Sequence, residues 1–162
     1  MIRTLDPAGD AEAVLDLYRR AADFLDLESG RTPDDAVVEE YFTDAPPGGD
    51  STASLKLGLL EDGRLMGIVD LAFGYPSARD AYLGLMMFAR EARGRGRGRA
   101  FLRHVEQAAR NRGATRLLLA VLEANPRGRA FWESEGFGSP RVFPPARIGD
   151  RVHVRIRLHK SL

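Results

Sequence analysis

Apolar and polar residues alternate along this chain with periods that change from one stretch to the next. Residues 2–5 read as a short strand. From Asp10, apolar side chains fall at Ala11, Val14, Leu15, Tyr18, Ala22 and Leu25, a spacing that predicts one helix with a single buried face. Residues 28–33 break the pattern. Thr32 followed by Pro33 predicts an N-cap and first helical position, opening a second helix through about Phe42. After the polar loop 45–50, segments 54–60 and 64–73 read as strands joined across residues 61–64, where Asp62-Gly63 is a hairpin signal. The turn 74–77 leads to a third strand, 82–88, so the middle of the chain predicts an antiparallel meander.

The second half changes period again. Alternating Arg and Gly fill residues 93–99, and Phe101, Leu102, Val105, Ala108 and Ala109 then mark the inner face of a helix ending near Arg112-Gly113. Residues 117–122 are unbroken apolar sequence, as expected of a central strand buried on both faces. Asn125 and Pro126 predict the start of a short helix through Phe131 and Trp132, stopped by Gly136. Finally Val152, Val154, Ile156 and Leu158 alternate with Arg151, His153, Arg155 and Arg157, predicting one half-exposed strand with its histidines turned outward. The pattern contains no repeat and no linker, and predicts one α/β domain over 1–162 with a mixed sheet.

Composition changes this picture only at a few points. The formal net charge of +1 argues against a dedicated nucleic-acid binder, and no apolar run reaches membrane-spanning length. The expectation is a cytoplasmic protein. Of 24 basic residues, 22 are arginine, so a single Arg carries less functional weight than usual. With no cysteine and three scattered histidines, no metal site is expected. His104 lies off the apolar face of its helix and reads as solvated.

The strongest chemical signal is the glycine-rich passage from strand to helix. Such a turn leaves main-chain N–H groups unpaired at the positive end of a helix, with no side chains in the way, which suits phosphate. Known spacings separate the possibilities. A dinucleotide fingerprint begun at Gly94 or Gly96 would need glycine where Arg99 or Phe101 stands, and no Gly-Lys-Ser/Thr is present. An Arg-Gly nucleic-acid segment would be long and disordered, whereas this one lies between a strand and a helix.

What fits is Arg93-x-x-Gly96-x-Gly98 followed by a helix, then the buried strand, Asn125 and the segment Ala130-Phe-Trp-Glu-Ser-Glu-Gly-Phe137. In these features, from about Gly67 to Phe137, the chain resembles the GCN5-related N-acetyltransferases. That resemblance implies a mixed, mostly antiparallel central sheet of roughly seven strands, with a splayed parallel pair and helices on both faces. It further implies acetyl-CoA as co-substrate, its pantetheine arm along Met86, Met87 and Phe88. The pyrophosphate would lie on Gly94, Arg95, Gly96, Arg97, Gly98 and Arg99 beside Arg93, with Arg129 near the 3′-phosphate. Asn125 would contact the pantetheine, and a backbone N–H near Phe88 would serve as oxyanion donor.

The chain also departs from the family pattern. Trp132 stands where many members carry a tyrosine that protonates the leaving thiolate, and an indole cannot replace that acid. It is expected instead to pack against the pantetheine. Ala120 and Tyr82 occupy two positions where members carry a glutamate base. Tyr82 is therefore the remaining catalytic candidate. Strand alternation sets it on the face of Gly84, Met86 and Phe88 unless a bulge shifts the phase. Asp70, in an otherwise apolar strand, either attracts a cationic amine or faces solvent, and Tyr75 is a candidate for the acceptor cleft. The expected function is acetyl transfer to a primary amine, small molecule or peptide, by direct attack on the thioester. The alternative is a non-catalytic or weakly catalytic acyl-CoA-binding regulator. The expected partners are the amine, no nucleic acid and no membrane, with a homodimer left open.

Overall fold

A computed structural model describes residues 1–50 and 53–162. After strand β1 (Ile2–Thr4), Asp6 accepts from the Gly9 N–H at 3.0 Å and Pro7 occupies the first turn, which starts helix α1 (Pro7–Arg20). The predicted single first helix is two. Ala21, fully buried, leaves helical angles at φ −122°, ψ 25°, and the chain restarts as α2 (Ala22–Ser29), ended by Gly30 in the left-handed region. Helix α3 (Asp35–Thr43) is capped by Asp34, whose carboxylate accepts from Val37 N–H at 2.9 Å, and not by Thr32 with Pro33 in its first turn. A carboxylate beside the positive helix end outcompetes a hydroxyl two residues earlier.

The meander forms as predicted, from β2 (Leu55–Glu61), β3 (Arg64–Phe73) and β4 (Asp80–Phe88), each antiparallel to the next. A short 3₁₀ turn (Arg90–Ala92) precedes α4 (Arg97–Asn111). Then come β5 (Arg116–Leu122), α5 (Pro126–Ser134), β6 (Gly138–Val142), β7 (Ala146–Ile148), β8 (Arg151–His153) and β9 (Arg155–Ser161). The seven-stranded sheet runs β1-β2-β3-β4-β5-β9-β6, parallel only between β4 and β5, while β7 and β8 form a separate hairpin. This is the mixed, mostly antiparallel α/β architecture expected.

The last predicted strand is interrupted. Val154 divides β8 from β9, and the alternation changes phase there: Ile156 and Leu158 are buried as expected, but Val152 is exposed and His153 is buried. The His153 ring Nε2 donates to the Leu27 carbonyl at 2.9 Å, so it faces α2 and not solvent.

Two apolar clusters sandwich the sheet. On one face Phe101, Leu102, Val105 and Ala109 of α4 pack on Val69, Leu71, Leu83, Leu117, Leu119, Ile156 and Leu158. On the other, Val14 and Leu17 of α1, Leu25 of α2 and Val37, Val38 and Tyr41 of α3 cover Leu65, Ile68 and Met87. Burial of these side chains at roughly 25 cal/mol per Å² is the main driving force for the arrangement. Two buried charges are matched within it. Glu106, on the inner side of α4, accepts from Lys160 and Arg103, and Asp70 accepts from Lys56 Nζ at 2.7 Å.

Candidate active site

The sheet opens between its two parallel strands. β4 and β5 pair only over Asp80–Leu83 and Arg116–Leu119; beyond that, β4 stays with β3 as far as Phe88, and β5 stays with β9 as far as Leu122. The inner edges of residues 84–88 and 120–122 therefore face a gap with main-chain groups unused by each other. A bulge assists the opening: Asp70 pairs with Leu85 and Leu71 with Leu83, leaving Gly84 as the extra residue. The phase of β4 shifts there. Ala81 and Leu83 pack toward α4, as do Met86 and Phe88 beyond the bulge, while Leu85 and Met87 pack toward α1 and α3. Tyr82 is thus on the opposite face from Met86, which corrects the simple alternation. Below the opening, Asp80 and Arg116 clamp the strands with paired contacts of 3.0 and 2.8 Å.

A cleft of about 840 Å³ occupies this opening, a size suited to a cofactor-sized ligand. At one end lies the glycine turn. Gly94 and Gly96 have φ of +77° and +79°, the left-handed region that disfavours side chains, and a Cβ at either would project into open space. Gly96 caps α4 without any side-chain acceptor, and Ala100 is the first N–H of the helix to find a carbonyl, that of Gly96. The preceding N–H groups at this positive terminus are available for anionic oxygens. Gly98 is required for a different reason: its Cβ would lie 3.2 Å from the Phe131 ring, where α5 meets the start of α4.

The arginines around the turn are mostly committed to protein groups. Arg93 donates to the Phe88 carbonyl at 3.2 and 3.1 Å and to Asp23 of α2 at 2.6 and 3.0 Å, tying the turn to both β4 and the helical face. Arg97 holds Glu61 through two contacts of 2.8 Å, and Arg99 donates to buried Glu135 at 2.7 Å. Among the described residues of this turn, Arg95 alone of the arginines makes no hydrogen bond to a carboxylate. Arg129 is paired with Glu133, and Arg127 rather than Arg129 borders the cleft.

Asn125 caps α5, its Oδ1 accepting from Gly128 N–H at 3.0 Å, and it borders the cleft as well. The capping bond uses the amide oxygen, so the amide NH₂ remains free to donate. Trp132 lines the same wall, held edge-on between Phe131 and Phe137 at centroid distances of 4.9 and 5.5 Å. Met86 and Phe88 line the cleft, but Met87 is buried on the opposite face and is not part of its lining.

The other end of the cleft is made of side chains. Tyr82 and Arg155 line it, together with Phe24, Leu27 and Glu28 of α2 and the exposed Ala120. Ala120 breaks the expectation of a strand buried on both faces, because it lies where β5 has parted from β4 and borders the cleft. Tyr82 stacks edge-on against Tyr75 at 5.3 Å, and the Arg157 guanidinium lies 5.8 Å from the Tyr75 ring centroid and 5.6 Å from that of Tyr82. Burial pushes the Tyr82 phenol above its ordinary value, outweighing the opposing effect of Arg157. It therefore stays protonated through the neutral range. The β7–β8 hairpin clamps α2 in place: Arg151 donates to Asp26, His153 to the Leu27 carbonyl and Asp150 N–H to the Ser29 carbonyl.

Comparison with known proteins completes this picture. The Acetyltransferase (GNAT) family model matches residues 12–137, most of the chain. The chain belongs to the GNAT acetyltransferase family. Solved structures with the same fold include an acetyltransferase from Thermus thermophilus at 24% identity and TM-score 0.77, covering 100% of this chain and 96% of that one. A GCN5-related N-acetyltransferase from Kribbella flavida has 24% identity, TM-score 0.73 and coverage of 100% and 97%. The ribosomal-protein-S18-alanine N-acetyltransferase from Escherichia coli has 18% identity, TM-score 0.71 and coverage of 99% and 92%. A search of curated proteins gives no match. Acetyl-CoA is the co-substrate of GNAT acetyltransferases, and the uncapped turn and opened sheet are sterically and electrostatically fit for a pyrophosphate with an extended arm.

Two sequence candidates sit away from the GNAT cleft. Asp70 is neither solvent-facing nor on the cleft wall. It is buried against Lys56, so its charge is already matched and it has none to spare for an amine. Tyr75 stands behind Tyr82, where its hydroxyl accepts from Arg157 at 3.3 Å, and it borders a smaller pocket of about 260 Å³ beside residues 46–50. Conversely, Asp23, Glu28, Glu135 and Arg155 border the cleft although no sequence signal marks them. Glu28 falls in the stretch where helical periodicity fails, and only the packing of α2 under the hairpin brings it to the cleft. Among the described residues no cluster of three potential metal ligands occurs, and no helix is long and apolar enough to cross a membrane.

Proposed function

We propose that this protein transfers an acetyl group from acetyl-CoA to a primary amine, on a small molecule or a peptide, by direct attack of the amine on the thioester. The observation that carries the reading is the parting of β4 from β5 beyond Leu83 and Leu119, directly beside an uncapped glycine turn. In this reading the N–H groups of Gly94, Arg95, Gly96, Arg97, Gly98 and Arg99 hold the pyrophosphate. Met86, Met87 and Phe88 present their main chain to the pantetheine arm, Asn125 donates to it from its free amide NH₂, and Trp132 packs along it. An N–H near Phe88 polarises the thioester carbonyl as charge develops on its oxygen, the kind of fixed dipole that contributes several kcal/mol to such reactions. Arg93 acts through the main chain, by fixing the Phe88 carbonyl.

Acetyl-CoA supplies an activated acyl group whose leaving thiolate, from a thiol of pKa about 8.5, departs without an obligatory proton donor. This makes Trp132 in place of a tyrosine compatible with turnover. Tyr82, protonated and beside the cleft, is suited to orient the amine or pass a proton through water.

The test is CoA release measured with a panel of primary amines and short peptides, alongside acetyl-CoA binding by calorimetry. Turnover with at least one amine class is expected. Tight acetyl-CoA binding with no release on any amine would instead favour a regulatory acyl-CoA binder, the reading that Trp132 and Ala120 motivate.

A further inference from the structure

Three carboxylates border the cleft: Asp23, Glu28 and Glu135. Asp23 is taken by Arg93, and Glu135 by Arg99 with Arg103 at 3.8 Å. Glu28 is different. Among the described residues its carboxylate has no hydrogen-bond or ion-pair partner, although it is half-buried at the C-terminal turn of α2 and that turn is clamped by the β7–β8 hairpin. A partly desolvated carboxylate left without a donor is costly, and in a cleft it is a group waiting for one.

We infer that Glu28 receives the ammonium group of the acceptor and takes its proton; the inference rests on the acetyltransferase reading above. Tyr82, the other titratable group proposed for catalysis, is excluded as the base because burial keeps its phenol protonated. No histidine borders the cleft. The ammonium gives one proton to Glu28, which becomes a carboxylic acid and later releases it to water. The neutral nitrogen forms a bond to the acyl carbon as the carbon–sulfur bond breaks, and the electron pair leaves on sulfur. The second proton, shed by the new amide nitrogen, goes to the departing thiolate or to water.

The charged surroundings of Glu28 support this assignment. Burial raises its carboxyl above the ordinary value, Asp44 and Glu40 raise it further, and His153 and Arg31 pull it down without cancelling the effect. Tyr18 of α1 faces the same region and is itself protonated, its phenol pushed far up by burial. A raised carboxyl is a stronger base for an ammonium, and it takes a proton only above its own pKa. Activity is therefore present above that value and lost as pH falls through it.

The test compares kcat/KM against pH for the parent, Glu28→Gln and Glu28→Asp, using the best amine from the panel. The parent should show a plateau bounded below by Glu28 and above by deprotonation of the free amine. Glu28→Gln should lose on the order of 10²-fold at neutral pH, within the usual range for general-base help. Its remaining activity should climb about tenfold per pH unit up to the amine's own pKa, because only pre-formed neutral amine then reacts. Glu28→Asp should retain the plateau at a reduced height, and it carries the test if Glu28→Gln fails to fold. Glu28→Gln should melt no lower than the parent and bind acetyl-CoA equally, since no ion pair is removed. A plateau that survives in Glu28→Gln, or a loss below about threefold, overturns the inference alone. Acetyl-CoA binding without CoA release by the parent overturns the transferase reading, and this inference with it.

Discussion

At the glycine-turn end of the cleft, the groups offered to a ligand are main-chain N–H and C=O groups, and most of the surrounding charged side chains already have partners. At the α2 end, the offered groups are side chains: Glu28, Tyr82 and Arg155, delivered by a helix, a central strand and a strand near the sheet edge. Under the proposed function, the difference teaches how a fold can keep its cofactor end while its acceptor end changes. Backbone geometry tolerates sequence drift as long as a few glycines remain. A wall of side chains changes with every substitution.

The contrast can be broken most severely at Gly98. Gly98→Asp adds a carboxylate at the helix end proposed to hold the pyrophosphate and presses its side chain on the Phe131 ring, and should weaken acetyl-CoA by on the order of 10²–10³-fold in calorimetry. Retained affinity would move the phosphate site elsewhere. Next in size is the clamp where the two walls meet. Asp80→Asn removes charge-assisted hydrogen bonds to Arg116 and should lower unfolding free energy by about 1–3 kcal/mol in urea titration. The Arg116 guanidinium holds the Asp80 carboxyl below its ordinary value. Its contribution is thus fully present above about pH 4, the unfolded value, and lost as pH falls through the folded one. An acid limb of stability equally steep in Asp80→Asn would contradict the assignment.

Tyr82→Phe probes the side-chain wall more gently. Loss of one hydrogen bond to the amine or its water should lower kcat by up to about tenfold. The kcat/KM plateau should keep its lower boundary, and a shift of that boundary would transfer the base role from Glu28 to the phenol. The smallest effect is expected for Arg97→Ala. Because this guanidinium is occupied by Glu61, the dissociation constant for acetyl-CoA should stay within about threefold of the parent value.

The same contrast explains what could be read from the chain. Local signals carry the cofactor end: a strand, glycines at fixed spacing, an amphipathic helix and an Asn-Pro cap all lie within a short stretch, and each has a backbone reason. The meander and α4 are legible because their apolar periods are long and unbroken. The partners of Arg93, Arg97 and Arg99 were not, since Asp23, Glu61 and Glu135 come from other elements. Period alone also missed the restart of the helix at Ala21, the Gly84 bulge and the break at Val154. Each is a one-residue event, and in the two strands it flips the side chains after it. Strand β6 carries Pro140 and is almost wholly exposed at the sheet edge, so it has no apolar pattern to betray it. Glu28 became visible only through the hairpin that grips its helix.

That hairpin sets an order of assembly. The contact of Arg93 with the Phe88 carbonyl closes a loop of five residues, whereas those joining α2 to Arg151 and His153 span 125 and 126. Loop closure is slower and entropically costlier at the longer separation. On a growing chain the proposed phosphate cradle has its local partners long before β8 exists. The wall proposed to receive the acceptor is completed only when the last strands are made.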